Sequence, residues 1–151
     1  MPAFFSPFTF EATDMPNASA KTRPAFEQLT PVLIVDDVEQ CLRFWVDGLG
    51  FEVTNRVPGD DGKLVFASAQ RGPVEVMYQT RKSVADDMPG TANELSGHSI
   101  ALFIKVDDLD AVEKSLADAP VVKPRHQTFY GSTEIYVKEP GGNTVGFAQF
   151  T

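Results

Sequence analysis

Cysteine occurs once in this chain of 151 residues, tryptophan once and histidine twice. The lone thiol, Cys41, excludes an intrachain disulfide, and the N-terminal stretch has no basic, apolar leader, so a cytoplasmic protein is expected. Basic residues are in the minority, 13 Lys and Arg against 21 Asp and Glu, for a net charge of -8. That balance repels phosphate backbones and anionic bilayers, so neither nucleic acid nor membrane is an expected partner. No apolar run is long enough to span a bilayer. What is present is ordinary for one compact domain: 42% hydrophobic and 23% charged residues, enough to bury a core.

The first 28 residues read as an arm, with Pro2, Pro7, Pro16 and Pro24 opposing regular structure. Its Phe4, Phe5, Phe8 and Phe10 are too apolar to be left in water, so the arm is expected to dock, on its own domain or over a partner subunit. Beyond it the chain repeats. A shift of 71 positions lays "VLIVDDVEQCL" from Val32 over "FIKVDDLDAVE" from Phe103, "LVF" from Leu64 over "IYV" from Ile135, and "VEV" from Val74 over "VGF" from Val145. A unit of this length is a supersecondary module present twice, over 29–80 and 98–151, with 81–97 a polar linker between.

Each module reads as strand, helix, then strands, an α+β pattern. Asp37 caps a helix whose Val38, Cys41, Leu42, Trp45 and Leu49 share one face, and Asp108 caps its counterpart. Strand alternation sends Leu33, Val35, Val76, Ile104, Val137, Val145 and Phe147 under the helices. The opposite face carries Thr30, Glu75, Met77, Ala101, Phe103, Glu134, Tyr136, Gly146 and Ala148, a mixture of aromatic, polar and very small residues expected of a concave ligand site. Phe129 and Tyr130 fall at its mouth, where aromatic rings stack on planar ligands. Gly146, in the middle of the strand "NTVGFAQF", must make room for something or replace something.

The opening "LIVDDVEQCLRFWVDGLGFEV" and the closing "YGSTEIYVKEPGGNTVGF" resemble the glyoxalase, bleomycin-resistance and extradiol-dioxygenase group, the vicinal oxygen chelate superfamily, from Leu29 to Phe150. The chain departs from the family's more common Asp at Glu139. The resemblance implies two βαβββ modules whose curved mixed sheets surround a cavity, with helices outside, and a homodimer. It also places the family's metal ligands on Thr30, Glu75, Ala101 and Gly146, where only Glu75 can ligate. A divalent cation needs three or four donors, so no metal or other cofactor is expected. His98 lies an odd number of residues before Ala101 and His126 in the loop-like "KPRHQTFYG", so a site of those two with Glu75 is set aside.

Glu134 resembles a glutamate of the metal-free, drug-binding members. Its two readings are a carboxylate aimed into the cavity and a surface partner for Lys63, its counterpart under the shift of 71; Glu75 carries the same pair of readings. The favoured function is a metal-free protein binding a small, partly aromatic organic molecule through Glu75, Met77, Phe103, Phe129, Glu134, Tyr136 and Gly146, for sequestration or resistance. The alternative is a lyase, isomerase or dioxygenase-type enzyme of the same fold, metal-dependent or with Glu75 or Glu134 as base. No nucleophile or acid and base pair in the sequence demands catalysis.

Overall fold

A computed structural model describes residues 23–90, 97–98, 100–116 and 118–151, and the aromatic part of the N-terminal arm lies outside them. The chain runs β1 (Val32–Val35), α1 (Val38–Arg43), a π-helical turn (Phe44–Gly48), β2 (Glu52–Pro58), β3 (Leu64–Arg71), β4 (Val74–Thr80) and α2 (Arg81–Asp87). It continues with β5 (Ala101–Lys105), α3 (Leu109–Ser115), β6 (Val121–Gln127), β7 (Ser132–Lys138) and β8 (Thr144–Phe150). Two four-stranded mixed sheets result, ordered β1-β4-β3-β2 and β5-β8-β7-β6. In each, the first strand is parallel to the last and the other pairs are antiparallel. The expected α+β fold of paired βαβββ modules is therefore present, and the sheets remain separate rather than closing into one barrel.

The helix starts follow from local chemistry. Asp37 and Asp108 are extended residues whose carboxylates accept the backbone N–H three residues on, from Gln40 and Ala111. Val38, Cys41, Leu42 and Trp45 then face inward, and Leu109 does so in α3. One core joins the modules: Val35, Trp45, Val76 and Tyr78 of the first pack in the same cluster as Leu109, Val137, Val145 and Phe147 of the second.

The β7–β8 turn locks the modules together. Glu139, 2% exposed, accepts from the Tyr78 hydroxyl at 2.6 Å and from the Asn143 backbone N–H at 2.6 Å, while Trp45 Nε1 donates to Tyr78 at 2.8 Å. A Cβ on Gly141 would stand 2.6 Å from Val35 and 3.1 Å from Cys41 Sγ, so only glycine lets this turn press onto the first module. Burial, with Glu139 close by, pushes the Cys41 thiol far up and leaves it inert.

Three sequence expectations change. The segment read as a linker opens with α2, capped by Thr80 and burying Val84. The stretch around His126, read as a loop, is strand β6 at the sheet edge, with two register irregularities. The gap-free repeat also slips in the last strands. Met77 is the partner of Val32 and Ser68, whereas Gly146 is the partner of Phe103 and Tyr136. Gly146 is thus the structural counterpart of Met77 rather than Glu75, and Glu134, paired with Ala148, is the counterpart of Phe66, paired with Gln79, rather than of Lys63. The slip is two residues between β4 and β8 and three between β3 and β7, so the faces follow from alternation within each strand and not from the repeat spacing.

Candidate ligand-binding face

The open face of the second sheet is built by pleating. Glu134 and Tyr136 alternate along β7, directly opposite Ala148 and Gly146 of β8, and Phe103 of β5 lies on the far side of Gly146. Tyr136 occupies the space above Gly146, since a Cβ there would stand 2.8 Å from two ring carbons. The glycine makes room for this ring.

The ring's hydroxyl has a purpose in that position. Tyr136 donates to Glu134 Oε1 at 3.0 Å, and Tyr130 and Ser132 donate to Glu134 Oε2 at 2.7 and 2.6 Å. Glu134 is 1% exposed, the cost of burying a carboxylate being offset by three hydroxyl donors. Burial alone would raise its pKa, but the bonds from Ser132, Tyr130 and Tyr136, with His126 nearby, outweigh it and hold the carboxyl below its ordinary value. The converse acts on the phenols. Burial, then the Glu134 bond and charge, push Tyr136 up to about 12 and raise Tyr130 as well.

His126 completes the cluster from β6, in register with Glu134. Its Nδ1 lies 2.9 Å from the Pro124 carbonyl, which can only accept, so Nδ1 carries the proton. Nε2 faces Glu134 Oε1 at 4.0 Å, and the ring stacks on Tyr136 at 6.2 Å between centroids. Phe129 is 75% exposed and meets Tyr130 edge-on, and Lys105 Nζ sits 5.4 Å over the Phe150 ring. The result is an aromatic surface over an ionised carboxylate.

Phe103, Glu134, Tyr136 and Gly146 share this face, with Phe129 on the turn beside it. Glu75 and Met77 lie on β4 of the other sheet. Glu75 accepts from Gln28 at 2.8 Å and Thr30 at 3.1 Å, near Ser68, which bonds Thr54 and Asn55. The seven expected site residues thus form two groups. His98 bonds Asn143 at 3.1 Å, in the inter-module turn. Among the described residues, no three His, Cys, Asp or Glu side chains are grouped to hold a metal ion. Sequence reasoning missed Ser132 and His126 as partners of Glu134. Ser132 was readable as the i−2 neighbour on the same strand face, whereas His126 required the β6–β7 register.

Residues 26–147 match the family model described as Glyoxalase/Bleomycin resistance protein/Dioxygenase superfamily. Uncharacterized proteins of Mycobacterium bovis and Mycobacterium tuberculosis are 31% identical over 130 residues, 80% of this chain and 82% and 73% of theirs. Among solved structures, the antibiotic-binding protein TnmS3 of Streptomyces sp. CB03234 superposes with a TM-score of 0.64 at 19% identity, over 85% of this chain and 100% of its own. TioX of Micromonospora sp. ML1 gives 0.66 at 21% over 83% and 100%. Lactoylglutathione lyase of Agrobacterium tumefaciens gives 0.64 at 20% over 83% and 95%. At these identities the structures establish the fold, which an antibiotic-binding protein and a lyase evidently share. No helix among the described residues is long and apolar enough to cross a membrane.

Proposed function

Because the chain belongs to the glyoxalase/bleomycin resistance protein/dioxygenase superfamily, we propose that it binds a small, partly aromatic organic molecule, without a metal, on the open face of its second sheet. The carrying observation is the Tyr136 ring lying over Gly146 and bonded to Glu134. This position, where the family's resemblance places a metal ligand, is capped by a phenol, and Thr30 and Ala101 supply no strong donors at the others. A planar ligand has rings to stack on, and the buried carboxylate attracts a cationic group through a medium poor in water.

Glu134 is poorly suited to the enzyme alternative. A general base needs a free lone pair and a pKa near the working pH, whereas this carboxylate already accepts three hydroxyl bonds and is held low. Sequestration of the ligand fits such a carboxylate better.

The reading extends to a cytoplasmic homodimer. Val32 and Val57, on the two edge strands of the first sheet, are 45% and 46% exposed apolar side chains open to contact with a second copy. Sedimentation at micromolar concentration tests this, with a monomer counting against it. For binding, calorimetry against planar aromatic molecules should detect at least one ligand in metal-free buffer, and Tyr136→Ala should weaken it. Stoichiometric metal held through Glu75 in the purified protein would overturn the proposal.

A further inference from the structure

The two modules meet through quasi-equivalent contacts, and one of these is unfilled. At the filled place, the five-residue turn Glu139–Asn143 between β7 and β8 folds over Val35 and Cys41 and inserts Glu139 beside Tyr78. The corresponding β3–β4 turn is only Gly72–Pro73. Its Arg71 pairs with Val74 as Glu139 bonds Asn143, so Arg71 is the structural counterpart of Glu139. Phe147, partner of Ile104, corresponds to Tyr78, partner of Leu33.

One residue shorter between these equivalent positions, the β3–β4 turn does not cover the second module. A cleft of about 620 Å³ remains, lined by Arg71, Val74, Ile104, Val106, Val112 and Phe147. On its lining, Ser115 stands where the first helix region has the larger Phe44. The floor is apolar, and the charge at the turn is inverted. Arg71 donates to the Leu49 carbonyl at 2.6 Å and has no carboxylate partner among the described residues. Asp107 and Asp108 also border the cleft, but Asp108 is engaged in capping α3.

The geometry points to a second binding site in this inter-module cleft, for a small amphipathic anion with an apolar body on Val106, Val112 and Phe147 and a carboxylate at Arg71. The ligand occupies the space that the longer turn and its Glu139 occupy at the equivalent place, and a planar guanidinium suits a carboxylate in two-pronged fashion. This site is independent of the face carrying Glu134.

The test is calorimetry of the full chain with decanoate, decanol and decylammonium. Decanoate should bind with one-to-one stoichiometry, roughly tenfold tighter than decanol, the scale of one charge-assisted pair. Arg71→Gln should erase that preference and Arg71→Lys should keep part of it. Ala111→Trp, at an exposed position bordering the cleft, should block both ligands while leaving the circular dichroism spectrum unchanged. No decanoate binding, binding that survives Ala111→Trp, a preference that survives Arg71→Gln, or decylammonium binding as tightly as decanoate would each overturn the assignment. So would a change of sedimentation on Ala111→Trp, which would give the cleft to a second copy of the chain.

Discussion

The ring of Tyr136 lies over the backbone of Gly146, its cross-strand partner, at a distance that no β-carbon on residue 146 would permit. The glycine is therefore a condition for the Tyr136–Glu134 hydrogen bond. Gly146→Ala should displace the ring and destabilise the protein by ~1 to 3 kcal/mol, the range for overpacking. Urea denaturation of that variant, of Tyr136→Ala and of the double variant should show strong coupling, because the clash disappears with the ring. Additive effects would contradict the relationship.

Glu139 joins the modules through Tyr78, with Asn143 holding its other oxygen. Glu139→Ala leaves the Tyr78 O–H and the Asn143 donors buried without an acceptor, so a loss of about 3 kcal/mol is expected from equilibrium unfolding. Tyr78→Phe removes the donor to Glu139 and the acceptor of the Trp45 N–H together and should cost about 2 to 3 kcal/mol. A Glu139→Ala variant as stable as the parent would show that the turn does not lock the modules.

The Glu134 cluster predicts opposite trends at the two ends of the pH scale. Tyr136 is raised from 10.0 to about 12. Its contribution to stability is thus complete below about 10 and lost as pH rises through about 12. Glu134 is lowered from 4.5, so its contribution is present above that value and lost as pH falls through the lower folded pKa. Ultraviolet difference titration should show a late phenolate that Glu134→Gln brings forward. An unshifted phenol would contradict the hydrogen bond.

Much of this architecture was readable from the chain because it rests on local rules. The caps Asp37 and Asp108, the inward face of α1 and the alternation along β4, β7 and β8 all follow from patterns a few residues long. Strand β6 was not readable, since Val121–Gln127 is an exposed edge with a proline and no apolar alternation. With it went the pairing of His126 with Glu134. The repeat spacing misled at Gly146 and Glu134 because unequal hairpin turns slip β3, β4, β7 and β8 against one another, a long-range register that sequence similarity does not report. That Tyr136 fills the space over Gly146 is a cross-strand fact of the same kind.

Binding by aromatic stacking over an ionised carboxylate is the central claim, and titration calorimetry in the presence of a chelator tests it most directly. Planar aromatic cations, neutral aromatics and aromatic carboxylates would be titrated into the parent, Tyr136→Ala and Glu134→Gln proteins. The account predicts micromolar binding of at least one cation or neutral aromatic, weakened about tenfold or more by either substitution, the loss expected for one stacking or charge contact. Absence of heat from every ligand, or binding that appears only when zinc, nickel or iron(II) is restored, would contradict it.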